Sequence, residues 1–167
     1  MKKLLLISIL GIFPFFAKAE ECKKIDLNVG GFSHHWTSFS QYSKKNGYNE
    51  DNYGLGLTCH LNGIGNFNDE IEVGFLKNSF SETAKYVAYG IYYPVNPTIE
   101  LGLRNIIASG YEKAQTNIGG MVAGPMLAAK VHINETLTLN FSGVPSISIN
   151  NQHTDGFIYV NLGITLK

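Results

Sequence analysis

The strongest constraint on the fold is an alternation of period two that runs through most of the 167-residue chain. Leu55, Leu57, Cys59 and Leu61 alternate with Gly54, Gly56, Thr58 and His60. Ile71, Val73 and Phe75 alternate with Glu70, Glu72 and Gly74, and Val87, Tyr89, Ile91 and Tyr93 alternate with Ala88 and Gly90. The rhythm returns at Ile99, Leu101 and Leu103, at Leu137, Leu139 and Phe141, and from Ile158 to Leu166. Successive side chains of a strand point to opposite faces, so each run presents one apolar face. No segment keeps a helical period for three turns. The chain is therefore expected to be all-β, with eight strands near 25–36, 53–61, 70–77, 86–94, 98–108, 120–131, 136–143 and 156–166.

The connections alternate in length. Residues 62–69, 95–97 and 132–135 are short, residues 37–52, 109–119 and 144–155 are longer and polar, and residues 78–85 are intermediate. An even strand count with short turns on one rim and long loops on the other describes an eight-stranded antiparallel transmembrane β-barrel. Several strands come near the roughly 9–11 residues that cross a bilayer. A soluble lipocalin-type barrel would show the same alternation with inside and outside exchanged, and period two alone does not separate the two. Tyr86, Tyr89, Tyr92 and Tyr93 on one strand favour the membrane, whose interfaces take aromatic girdles.

The N-terminus adds a destination. Met1-Lys2-Lys3 is a basic start, Leu4 to Ala17 is apolar, and Ala17-Lys18-Ala19 is a small-x-small cleavage signature. Residues 1–19 thus read as a secretory signal peptide, leaving residues 20–167 as a single barrel domain exported to the bacterial outer membrane. The apolar stretch is shorter than the ~20 residues of a spanning helix, and Pro14 interrupts it. The whole chain balances 13 basic against 13 acidic residues, and loss of Lys2, Lys3 and Lys18 would leave a net charge of −3. A chain without basic surplus has no electrostatic footprint for nucleic acid. At 44% hydrophobic and 16% charged it is not a disordered chain either.

Few residues offer chemistry. His34-His35 and Cys59-His60 are adjacent pairs, which a strand sends to opposite faces. With no H-x-H, C-x-x-C or H-E-x-x-H run, neither a metal nor another cofactor is expected. Cys22 and Cys59 could bond in an oxidising compartment and could equally stay free, and free thiols are the expectation. The more informative pairing is His35, near the end of the first strand, with Asn78-Ser79 after the third. In an up-and-down barrel both reach the long-loop rim, where a His and a Ser can form a base and hydroxyl pair for acyl transfer.

Several short motifs stand in one register. They are Ser33-His34-His35-Trp36, Tyr48-Asn49-Glu50 and Lys77-Asn78-Ser79-Phe80, with His35 13 residues before Tyr48 and 44 before Ser79. In these, clearest over residues 31–93, the chain resembles the lipid A palmitoyltransferase (PagP) family of outer-membrane barrels. The resemblance implies an acyltransferase that moves a palmitoyl-type chain from a phospholipid donor to a lipid A acceptor, as a monomer. It implies His35 as general base, Ser79 as its hydroxyl partner and Asn78, where the family has Asp, as a group orienting the imidazole. Gly90 would floor an acyl-chain well inside the barrel. Pro125 and Pro145 would flank a lateral opening for lipid, and Gly30 and Asn52 stand where the family has prolines at a second one. A lipid A deacylase and a non-catalytic lipid-binding or structural barrel are the alternatives.

Overall fold

The computed structural model describes residues 21–36, 46–114, 117–149 and 152–166, so the expected signal peptide lies outside the described residues. Eight long strands form the wall: β1 (Lys24–His35), β2 (Gly54–His60), β3 (Asn68–Lys77), β4 (Thr83–Pro94), β5 (Ile99–Ser109), β6 (Met121–His132), β7 (Leu137–Val144) and β10 (Phe157–Thr165). They close in the order β1-β10-β7-β6-β5-β4-β3-β2, each pair antiparallel. The connection expected as a plain loop over 144–155 instead carries a small hairpin, β8 (Ile147–Ile149) against β9 (Gln152–Thr154). Ile147 and Ile149 flank Ser148 there, an alternation too short to read against the turn residues around it.

Inside and outside are settled by which face is buried. The buried face carries Asp26, Asn28, Thr58, Glu70, Glu72, Arg104, Lys130, Thr138, Ser142 and Asn161. The exposed face carries Leu55, Leu57, Val73, Phe75, Val87, Leu101, Leu103 and Leu127. A soluble barrel buries its apolar residues, whereas a chain in lipid turns them outward and pairs its backbone in a closed ladder. The protein is therefore a transmembrane β-barrel. The tyrosines of β4 divide between the faces: Tyr86 and Tyr92 are buried in the interior, and Tyr93 is exposed. Only part of the expected girdle is real, because the even positions of β4 point inward. Elsewhere the exposed face takes aromatics from Phe32, Trp36, Tyr53 and Phe67, and Phe67 packs edge-on against Tyr93.

The interior charges are paired, as burial demands. Arg104 Nη2 lies 2.8 Å from Glu72 Oε2, and the Tyr86 hydroxyl donates to Glu72 Oε1. Lys130 pairs with Glu70 and sits over the Tyr92 ring, 4.5 Å from its centroid. His60 Nε2 bonds Asp26 Oδ2 at 2.7 Å, and its Nδ1 lies 3.6 Å from Glu70 Oε2. Beside them Asn28 donates to Thr58 Oγ1, and Asn140 donates to Asn161 Oδ1. These groups make the middle and the short-turn end of the barrel a polar plug.

Cys22 and Cys59 are joined by a disulfide with Cα atoms 5.2 Å apart, against the expectation of free thiols. Ile25 opposes Cys59 in the β1–β2 ladder, which brings the chain just before β1 alongside β2. Strand register, invisible in the sequence, decides the pairing. The bridge closes a loop of 37 residues, so reduction is expected to lower stability by about 2–4 kcal/mol. Denaturant midpoints of the refolded barrel with and without reductant would measure the change, and Cys22→Ser should show no response to reductant.

Candidate active site at the loop rim

His35 owes its direction to a bulge. Asp26 and Asn28 point inward from β1, and strict alternation over the seven residues from Asn28 would send His35 outward. The β1–β10 register shifts between Val29 and Phe32, where Gly30 has φ 76°. A left-handed conformation there suits glycine, and the extra residue flips the parity. Ser33 and His35 consequently face inward, while Phe32 and His34 are exposed.

Ser79 is presented by a tight turn, and Asn78 builds that turn. Asn78 is 0% exposed. Its Oδ1 accepts from the N–H groups of Phe80 (2.9 Å) and Glu82 (3.0 Å), and its Nδ2 donates to the carbonyl of Gly110. The backbone adds Asn78 N to Glu82 O at 2.8 Å and Ser81 N to Asn78 O at 3.0 Å. The neighbouring segment is tied on by Asn49, whose N–H donates to Ser79 O and whose side chain donates to Asn78 O. The amide of Asn78 is thus spent on backbone groups. The expectation that it orients the imidazole gives way to a different role, fixing the turn that carries Ser79.

His35 and Ser79 meet at the rim, with Nε2 and Oγ 3.1 Å apart. The imidazole stacks on two aromatics, Tyr48 at 4.1 Å between centroids and Phe157 at 5.4 Å. The Tyr48 hydroxyl donates to Asp155, and Tyr48 packs edge-on against Phe80. The backbone N–H of His35 donates to Glu50 Oε1 at 3.1 Å, and the same carboxylate oxygen lies 3.1 Å from His34 Nδ1. Its Nδ1 is buried without a hydrogen-bond partner among the described residues. The arrangement is a base and hydroxyl dyad, held by ring stacking, with no third group bonded to Nδ1. Among the described residues no group of three His, Cys, Asp or Glu side chains is placed to hold a metal ion.

The other expected site residues lie elsewhere. Gly90 faces inward on β4, opposite Glu70 of β3 and Arg104 of β5. A Cβ there would come within 3.0 Å of the Tyr92 ring. Packed polar side chains surround it, so it does not floor an apolar well. Pro125 is exposed on the outer face of β6, and Pro145 follows β7. Between these two strands the ladder stops at Leu127 and Gly143, and Met121–Met126 have no β7 partner. Proline has no N–H with which to continue a ladder. At the other seam, Asn52 N donates to Gly31 O at 2.9 Å and Ser33 N to Glu50 O at 2.8 Å. These bonds leave no gap at Gly30 and Asn52. Phe157 and Asp155 were missed in the sequence because their proximity to His35 depends on the β1–β10 register, in which His35 opposes Phe157.

No family model and no curated protein matches the chain. Among solved structures, a de novo designed transmembrane β-barrel aligns with a TM-score of 0.51 at 10% identity, covering 86% of this chain and 94% of that one. The outer-membrane protein Ail of Yersinia pestis aligns in a nanodisc structure with a TM-score of 0.45 at 9% identity, covering 86% and 99%. Its crystal structure aligns at 0.40 and 11%, covering 86% and 97%. The similarity to the designed barrel is one of fold, and the architecture it shares with this chain is that of a transmembrane β-barrel.

Proposed function

We propose that the protein is an outer-membrane acyltransferase that takes an acyl chain from a phospholipid, with lipid A as the acceptor. The observation that carries this reading is the 3.1 Å contact between His35 Nε2 and Ser79 Oγ, in a barrel whose wall is interrupted between β6 and β7. The motif register that resembles lipid A palmitoyltransferases supports it, as does the outward apolar belt of a barrel that meets lipid. In the first step Ser79 Oγ bonds to the ester carbonyl carbon and passes its proton to His35 Nε2. The bond from that carbon to the lipid alcohol breaks, and His35 returns the proton to the departing oxygen. In the second step the acceptor hydroxyl gives its proton to His35 and its oxygen takes the acyl group. Ser79 Oγ recovers the proton.

One observation favours a second reading. The seam between β1 and the chain before β2 is closed by hydrogen bonds, whereas Met121–Met126 of β6 have no partner on β7. A site with one lateral entry suits a hydrolase, in which water replaces the acceptor hydroxyl. Mass spectrometry of lipid A and free fatty acid from cells with and without the protein separates the two. An added acyl chain that depends on Ser79 supports transfer, and a lost chain with fatty acid released supports hydrolysis. Unchanged lipids would refute both.

A further inference from the structure

We infer that the donor's acyl chain is seated on the outer wall of the barrel, in a groove that ends at Phe157, while only its ester passes inward to His35. The groove has a volume of about 510 Å³ and is lined by Trp36, Leu127, Ala129, Gly143, Pro145 and Phe157 among others. It exists because Gly143, between Leu127 and Ile158, has no side chain, and Ala129, between Leu101 and Phe141, has only a methyl. It lies on the lipid-facing surface and rises to the open β6–β7 seam, so its occupant is a hydrocarbon chain of the surrounding phospholipid.

Three observations join this groove to the dyad. Phe157 belongs to both, lining the groove while stacking on the His35 ring. Gly124 faces inward beside the unpaired edge of β6, and a Cβ there would meet no atom within 4 Å. The inward glycines at 54, 56, 74, 90, 102 and 163 are all closely approached, so open space is found at Gly124, where the ladder is interrupted. Below the rim the interior is filled by Tyr86, its partner Glu72 and Arg104. A chain directed inward would have to displace a buried ion pair, whereas one left in the groove gives up no apolar contact. Phe157 is then the partition that admits the ester and holds back the tail, and the side chains at 129 and 143 set how much chain fits.

The seat depends on the acyl-transfer reading only for what happens beyond Phe157, and it is tested without catalysis. Trp36 is the single tryptophan of the chain. The refolded protein in micelles is titrated with phospholipid brominated near its ester bonds, and Trp36 fluorescence is followed. Saturable quenching is expected. Ala129→Phe, which fills the groove, should weaken the apparent affinity roughly tenfold, the effect of displacing about two methylenes from apolar contact. Ala129→Leu should give a smaller loss should the phenylalanine variant fail to fold. Val73→Phe, on another part of the lipid-facing wall, should leave quenching unchanged. Quenching that never saturates, or that ignores both substitutions at 129, overturns the seat even in an active enzyme. Saturable, groove-sensitive quenching in a protein without acyl chemistry upholds the seat and refutes the enzymatic reading.

Discussion

Replacing His35 by Ala is expected to lower acyl transfer by about a thousandfold while leaving the barrel folded. The rate effect follows from the chemistry: without Nε2 at 3.1 Å, Ser79 Oγ has no proton acceptor in contact, and general-base catalysis contributes about 10²–10⁴ in rate. The small structural effect follows from position. His35 stands at the end of β1, and its side chain gives up one hydrogen bond and two ring contacts in a half-buried setting. None of the interior ion pairs involves it. Ser79→Ala should match the loss, and the double variant should be no worse than either single, because the pair acts as one unit. The measurement is release or transfer of a radiolabelled acyl chain by refolded protein in mixed micelles, with heat-modifiable gel mobility as the folding check. Residual activity within tenfold of wild type in His35→Ala would remove His35 from the mechanism.

The legible and illegible parts of this molecule divide along a physical line. Alternation along a single strand is a local property, so the eight wall strands could be read from runs such as Leu55–Leu61 and Val87–Tyr93 to within a few residues. Which face meets lipid is not local. It took the burial of Glu70, Glu72, Arg104 and Lys130 against the exposure of Leu101 and Leu127 to decide it. The same limit applies to the site. His35 and Ser79 share a rim by topology alone, which loop lengths reveal. Asn78, Phe157 and the disulfide depend on register and turn geometry, which hydrophobic patterning does not encode. The bulge at Gly30–Gly31 is a sharp case. Strict alternation from Asp26 puts His35 outside, and only the inserted residue brings it in.

Asn78 gives the second large expectation. Asn78→Ala should destabilise the barrel by about 3–5 kcal/mol and cut turnover at least about a hundredfold. Three backbone groups lose their partner at once, the buried N–H of Phe80 and the part-buried N–H of Glu82 and carbonyl of Gly110, and an unsatisfied buried group costs about 1–3 kcal/mol. The turnover loss follows because the same turn aims Ser79 at His35, and misplacement by ~1 Å can cost about a hundredfold. Asn78→Asp separates this role from that of a charge partner. A carboxylate can still accept from Phe80 and Glu82, but its other oxygen would face the Gly110 carbonyl with no proton between them. Turnover should therefore fall in Asn78→Asp, where an acid orienting the imidazole would raise it. Burial and the facing carbonyl would lift the pKa of the new Asp above its unfolded value. A carboxyl raised in the folded state binds its proton more tightly there than in the unfolded chain, so stability should rise as pH falls through the raised pKa. Denaturant midpoints of Asn78→Asp against wild type from neutral to acidic pH would show the gap narrowing. A gap that widens on acidification, or turnover above wild type at neutral pH, would mean that residue 78 acts on His35 rather than on its own turn.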